Sequence, residues 1–304
     1  MIMNLCSFLP SGTEIIFGLG LGDHLHGVTY ECDYPPEAAS KPVVIKTRLD
    51  TALSSREIDD AVIRSFETGE SLYEIDQGVL QAAAPDLILT QELCDVCAIS
   101  YADVQKAMAA LPMTPELLSL RPHLLEDVYN DIRTVGRLAG REDQAATWVT
   151  GLRQRMDAVV KVTRLAEHRP TVFCMEWTEP MMASGHWVPQ LVELAGGEDR
   201  LGSKAKPSIR IEWDQVRKAE PDVLILMPCG YDVPKTLAEV AMLERLDGWA
   251  ELPAVRRRRV YAVNGHMYYS RSGPRLVDGT EILAALLHPD LFPVPSETDA
   301  RSVY

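Results

Sequence analysis

Short unbroken apolar runs alternate along this chain with stretches whose apolar positions recur every three or four residues. That is the pattern of buried parallel strands and the helices that cover them. "IMNLCSF" reads as a strand, and "SGTEIIFGLG" as the helix after it, with Ser11 at its N-cap and Glu14 three residues on completing a capping box. "LHGVTY" is a short strand, 72–84 a helix, and "PDLILTQ" (85–91) a second buried strand. The second half repeats the grammar: "PTVFCMEW" as strand, "VPQLVELAGG" as a helix ended by glycine, "PDVLILMP" (221–228) as strand. "AAAPDLILTQ" matches "KAEPDVLILM", and "LGLGDHLHG" matches "LAGGEDRLG", which suggests two related halves. Pro85 and Pro221 stand 136 residues apart, Gly27 and Gly202 stand 175 apart, and the 39-residue difference places an insertion in the first half between Glu31 and Tyr73.

Between the halves the strand pattern stops. Leu124, Leu125, Val128, Ile132, Val135 and Leu138 recur at helical spacing, Gly140 breaks the run, and Ala145, Trp148, Leu152, Met156, Val159 and Thr163 resume it. The expected fold is therefore α/β: two Rossmann-like lobes, 1–121 and 169–304, joined by a long helical backbone over 122–168. A packed helical spine holds two lobes at a set distance, and the space between them is the default ligand site, because α/β sheets bind ligands beyond the carboxyl ends of their strands.

Composition narrows the function. At 304 residues, with 46% hydrophobic and 24% charged residues, the chain has enough apolar side chains for two cores. A formal net charge of -14 repels phosphate backbones and anionic membrane surfaces, so nucleic acid is not an expected partner. No apolar run approaches a membrane span, and "MIMNLCSFLPSGTE" has neither a basic n-region nor an apolar h-region. The expectation is a cytoplasmic protein whose six cysteines are free thiols unless they bind something.

Four stretches, "SFLPSGTEIIFGLGLGDHLHGVTYECDYPPEA", "PDLILTQ", "MEWTEPMMASGHWVPQLVELAGG" and "VYAVNGHMYYSRSGPRLVDGTEIL", resemble the helical-backbone class of ABC-importer substrate-binding proteins, most nearly its cobalamin-binding branch. The resemblance spans Met3 to about Phe292. It implies two α/β lobes bridged by a long helix, no catalysis, and cobalamin or a related corrinoid as ligand. Importer-linked members also seat one surface glutamate from each lobe in the permease. Aligning the Pro-Asp strands puts the first position at 76–78, where there is no glutamate, and the second at 212–214. Docking to an ABC permease is therefore not expected, and the chain reads as a cytosolic homologue that holds or delivers a corrinoid.

The strand-end loops supply the candidate site. In the first lobe these are 7–11, 30–34 and 91–97, with Ser11, Tyr30, Cys32, Asp33, Tyr34, Gln91, Cys94 and Cys97. In the second they are 176–187, 229–231 and 264–270, with Glu176, Trp177, His186, Trp187, Cys229, Tyr231, His266 and Tyr268. Six loops converge on one space only if the two sheets face each other. Trp177 and Trp187 offer broad apolar faces for a flat macrocycle, although Trp187 at the start of a helix also suits a core position. In "HMYYS" strand alternation turns one tyrosine toward the ligand, here assigned to Tyr268. Glu176 and Glu179 lack a nucleophile–base partner, and read as acceptors for ligand amides or caps for backbone N–H groups. His186 is either a metal ligand or an ordinary polar residue before a helix.

Two alternatives stay open. The same architecture could bind another metal chelate, a siderophore or haem. "QELCDVC", with Cys32 on the neighbouring loop, could instead hold zinc or form a redox pair. Cys6 and Cys174 lie within strands and read as buried small hydrophobes. Three other motifs fail: "GLGLGD" follows a helix where a dinucleotide turn follows a strand, "GEDRLGSK" puts its acids where phosphate would bind, and "RRRR" (256–259) reads as a solvated turn.

Overall fold

The computed structural model describes residues 3–92 and 99–304. The chain separates into two compact units, one of Met1–Pro122 with Glu126–Val149, the other of His123–Leu125 with Thr150–Tyr304.

The first unit is built on six strands: β1 (Leu5–Ser7), β2 (Leu25–Thr29), β3 (Val43–Thr47), β4 (Tyr73–Ile75), β5 (Leu87–Gln91) and β6 (Glu116–Leu120), in the order β4-β3-β2-β1-β5-β6. All neighbouring pairs are parallel except β3 with β4, so the carboxyl ends of β1, β2, β3, β5 and β6 share one edge. Its helices are α1 (Pro10–Gly18), α2 (Ser55–Thr68), α3 (Gln77–Ala83) and α4 (Tyr101–Ala109). Cys6, Phe8, Val44, Leu80, Ile88 and Val104 belong to one buried cluster beneath them.

Three local expectations change here. The helix after β1 starts at Pro10, whose fixed φ suits the first turn, so Ser11 lies inside the helix and Leu9 is the uncapped N-cap residue. The capping box falls instead at Ser54 and Glu57, at the start of α2. The helix expected over 72–84 begins only at Gln77, because Asp76 caps it through Val79 N at 3.1 Å and 73–75 pairs with β3 as an edge strand.

α5 (Leu125–Leu138) and α6 (Glu142–Thr163) follow, separated by Gly140 at φ 65°, and the division between units falls inside α6. Both repeat apolar residues at helical spacing, and Val128, Ile132, Val135, Leu152 and Val159 are buried.

The second unit holds β7 (Thr171–Trp177), β8 (Met182–Ala183), β9 (Gly185–His186), β10 (Glu198–Asp199), β11 (Ser203–Lys204), β12 (Ile209–Arg210), β13 (Val223–Leu226), β14 (Val260–Val263) and β15 (Ala300–Ser302). Its main sheet runs β12-β8-β7-β13-β14-β15 with β10 also on β7, and β9 pairs β11 separately. β10, β7, β13 and β14 are parallel. The helices are α7 (Val188–Leu194), α8 (Trp213–Ala219), α9 (Val233–Ala238), α10 (Val240–Leu243), α11 (Pro253–Arg256), α12 (Gly265–Tyr268) and α13 (Leu276–Leu287). The segment "HMYYS" is thus a helical turn capped by Asn264 through Met267 N at 3.0 Å, not a strand end, and tyrosine alternation does not apply to it.

The two units repeat one motif. In each, a central strand lies between two parallel neighbours, and the helix before the Pro-Asp strand ends in a left-handed residue, Ala84 at φ 41° and Glu220 at φ 44°. In the arginine run, Arg256, Arg257 and Arg258 are exposed, while Arg259 donates to the Leu286 and Leu287 carbonyls at the end of α13. Among the described residues no helix is long and apolar enough to cross a membrane.

Candidate functional site

In the second unit the loops leaving the carboxyl ends of β7, β13 and β14 are stitched to one another by backbone. Cys229 N donates to Glu176 O at 3.1 Å, and His266 N donates to Tyr231 O at 3.0 Å. Gly230 N donates to Ser270 Oγ at 3.1 Å. Glu176, Trp177, Cys229, Tyr231 and His266 are thereby brought together from segments up to 90 residues apart.

The Trp177 and Tyr231 rings meet edge to face, centroids 5.5 Å apart at 64°. Trp177 Nε1 donates to Glu179 O at 3.1 Å, which satisfies the indole N–H locally and leaves a half-buried ring for contact. Tyr231 is buried, and its hydroxyl has no partner. Burial pushes the Tyr231 hydroxyl pKa up, with the Glu239 charge adding to it. Lys235 Nζ lies 3.9 Å from the Tyr231 ring centroid, a cation–π contact that sequence reading missed. The cue was present: Asp232 caps α9 through Lys235 N, which sets Tyr231 and Lys235 one turn apart.

Glu176 acts on the backbone. Its Oε2 accepts from Gly185 N at 2.9 Å and from Ser208 Oγ at 2.7 Å. Burial raises its carboxyl above the usual range, against the lowering effect of those two donors. Asp199 is raised for the same reason and accepts from Ser184 Oγ at 2.8 Å and Gly202 N at 2.8 Å. A side chain at Gly185 would bring its Cβ within 2.3 Å of Ser208 N, so glycine there permits the close approach of 206–208.

This bracing presents His186 in an unusual state. Its backbone is left-handed at φ 51°, held by His186 N to Lys206 O at 2.6 Å and Ala205 N to His186 O at 2.8 Å. Nε2 is shielded and has no partner among the described residues, and burial, with His123 nearby, lowers the imidazole pKa. His123 stacks on it with centroids 6.0 Å apart. No local sequence signal pairs residues 63 positions apart.

Other expected residues are committed elsewhere. Trp187, expected at the ligand face, is 6% exposed and donates Nε1–H to Tyr269 O at 2.8 Å, because the first turn of α7 turns inward. Tyr268 donates its hydroxyl to Asp299 at 2.6 Å and lies under the Arg275 guanidinium, 4.8 Å from the ring centroid. His266 Nε2 lies 2.5 Å from Arg271 Nη2, a buried arginine.

In the first unit, Tyr30, Asp33, Tyr34 and Gln91 occupy the carboxyl edge with accessible side chains. The Tyr30 ring is 6.5 Å from that of Tyr73, which sequence reading did not single out. Ser11 and Cys32 are instead interior, 2% and 5% exposed, and Cys32 Sγ is 3.0 Å from Thr13 Oγ1. Cys94 and Cys97 lie outside the described residues. Among the described residues no three His, Cys, Asp or Glu side chains are grouped to hold a metal ion. At the carboxyl edge of the second unit the partly accessible side chains include Trp177, His186, Cys229 and His266, aromatic, imidazole and thiol in character and suited to holding a large, partly apolar molecule.

The model of the periplasmic binding protein family matches residues 7–265. An uncharacterized ABC transporter substrate-binding lipoprotein of Bacillus subtilis, YvrC, is 25% identical over 293 residues, covering 95% of this chain and 81% of that protein. A vitamin B12-binding protein of Vibrio cholerae serotype O1 is 22% identical over 288 residues, covering 93% of this chain and 88% of its own. The solved structure of the periplasmic heme-binding protein RhuT from Roseiflexus sp. RS-1 in apo form superposes with a TM-score of 0.71 at 20% identity, covering 94% of this chain and 98% of that one. At such identity the likeness shows the fold: α/β, with two lobes joined by a helical backbone.

Proposed function

The chain belongs to the periplasmic binding protein family, and from that premise we propose that it binds a corrinoid, a cobalamin-like ligand, without catalysis. The observation that carries the reading is the Trp177–Tyr231 pair at the carboxyl edge of the second sheet, with Lys235 against the tyrosine ring and the tryptophan half-buried. A flat macrocycle with apolar faces and amide arms suits such a surface. The non-catalytic reading is supported by Glu176, whose carboxylate accepts from Gly185 and Ser208. The relative named for vitamin B12 supports the corrinoid assignment.

A second reading, haem, is favoured by one feature. The fold is shared with a heme-binding protein, and His186, whose imidazole burial holds below the usual range, is the class of side chain that ligates haem iron. The net charge of -14 weighs against the propionates of haem and leaves the amide-fringed corrinoid ahead. Permease docking is not part of the proposal, since the Asp76 carboxylate at 76–78 is engaged by Lys46 and Val79.

Titrating the purified protein with cyanocobalamin and with haemin decides between them. A saturable shift of the visible spectrum, or a raised melting temperature, with cyanocobalamin supports the first reading. A Soret shift with haemin alone supports the second. Silence toward both at concentrations well above micromolar overturns the proposal.

A further inference from the structure

The helix α6 is anchored on both sides of its middle and weakest between the anchors. Upstream, the Trp148 ring lies so close over Gly18 of α1 that a Cβ there would come within 2.1–2.6 Å of it. On the same side Gly136 lets α5 approach, since a Cβ there would meet the Ala145 Cβ at 2.5 Å. These contacts tie the helix up to Val149 into the first unit. Downstream, Arg155 donates to Glu281 Oε1 from Nε at 2.9 Å and to Oε2 from Nη2 at 2.7 Å, and Nη2 also reaches Asp278. α13 thus holds this half to the second unit.

Between the anchors the chain reads Thr147, Trp148, Val149, Thr150, Gly151. β-branched and aromatic residues lose rotamer freedom in a helix, and glycine is the poorest helix former apart from proline. The next five residues, Leu152 to Met156, are all strong helix formers. Packing does not call for glycine at 151. A Cβ there would meet no atom of the described residues within 4 Å, the helix's own backbone aside, whereas Gly18 and Gly136 each admit a neighbour. α6 still runs unbroken over 22 residues, and the division between the units falls between Val149 and Thr150, inside this weak stretch.

The other passages of the chain between the units flank His123–Leu125 and need no such feature. Leu125 N donates to Gln190 Oε1 of α7 at 2.9 Å, and α5 begins at that residue. One passage is therefore a loop and the other a first helical turn, which frays readily. In α6 a continuous ladder of backbone bonds has to give instead. A glycine without packing neighbours leaves that ladder open to water and widens the backbone angles available to it.

We propose that Thr147–Gly151 is a flexible joint in α6, where the helix bends and one unit turns on the other. The inference goes beyond the ligand-binding reading and is tested without ligand, so its failure leaves that reading standing. Spin labels are carried on ketone-bearing residues introduced at the exposed positions Arg64 on α2 and Lys218 on α8, one in each unit. Their separation is measured by double electron–electron resonance on the full chain. Hydrogen exchange of amides 150–155, which close bonds to the carbonyls of 146–151, is followed in parallel. Gly151→Ala and Thr150→Gly are compared with wild type. The expected result is a broad distance distribution in wild type that narrows in Gly151→Ala and widens in Thr150→Gly. Exchange should be about 5-fold slower in the first variant and about 2-fold faster in the second. Slower exchange in Gly151→Ala with an unchanged distribution would leave the glycine a weak point of the helix and overturn the joint. A distribution equally narrow in all three proteins would show a stiff spine, and one equally broad would move the flexing to 122–126. Either overturns the joint as well.

Discussion

Asp222 and Thr171 clasp each other at the entrance to the second sheet. Thr171 donates to Asp222 Oδ2 from its backbone N at 3.0 Å and from Oγ1 at 2.9 Å, and Asp222 N donates back to Thr171 O at 2.9 Å. The first unit repeats the arrangement: Asn4 N donates to Asp86 Oδ2 at 2.7 Å, and Asp86 N to Asn4 O at 2.8 Å. In both halves the aspartate of the Pro-Asp pair satisfies the leading N–H of the central strand, which gives the sequence repeat a physical cause.

Burial alone would raise the Asp222 carboxyl, but the bonds from Thr171, with Arg257 added, hold it below the usual range. Its contribution is therefore present at neutral pH and lost as pH falls through the folded-state value. Asp222→Ala should cost about 1.5–3 kcal/mol, measured by urea unfolding at pH 7, and the difference from wild type should shrink in acid. Asp86→Ala should act in the same direction on the first unit.

Gly18 anchors α1 against α6. A Cβ at that position would meet the Trp148 ring at 2.1–2.6 Å. Gly18→Ala is expected to destabilise by about 1–3 kcal/mol, although alanine is the better helix former by about 1 kcal/mol. Adding Trp148→Ala should relieve that clash, so the double variant loses less than the two single losses combined, as a thermal-unfolding cycle would read.

Asp131 on α5 is held in a poor environment for charge. Burial first, and then Asp127 four residues earlier, raise its pKa from 3.8 to about 7, and Oδ2 has no partner. A raised carboxyl favours the folded state when protonated. Stability from this group is thus full below pH 3.8, falls as pH rises, and is fully lost above about pH 7. Asp131→Asn should stabilise the protein by about 1–3 kcal/mol at pH 8 and change little at pH 4, by denaturant titration at the two values.

Cys6 and Cys174 are fully buried, and burial pushes Cys6 up to about 12 and Cys174 well above the ordinary thiol range. Iodoacetamide at pH 8 should leave both unmodified in the native protein and alkylate both in urea, as peptide mass mapping would show.

The two tryptophans should separate function from folding. Trp177→Ala is expected to weaken ligand binding about 10–100-fold with little change in melting temperature. Trp187→Ala removes a buried ring and its bond to Tyr269 O, and should cost about 3–5 kcal/mol of stability. Calorimetric titration and thermal melts on the same samples distinguish the two effects.

What the chain pattern determined by itself is what depends on near neighbours. Strand runs such as 87–91 and 223–226, the helical spacing of α5 and α6 with Gly140 between them, and the two-half repeat all follow from periodicity, because burial of one face dictates which positions must be apolar. The strand-end location of Trp177, Tyr231 and Tyr30 follows from the same order of elements. Tertiary structure decided whatever rests on distant partners or on a local contest between signals. Pro10 overrode Ser11 as the start of α1, Asp76 split the expected 72–84 helix, and Asn264 drew "HMYYS" into a helical turn. The carboxylate of Glu176 found Ser208 and Gly185, His186 found His123, and Trp187 turned to the core. A side chain's orientation depends on which backbone donors and apolar faces arrive beside it, and those arrive only when remote segments pack.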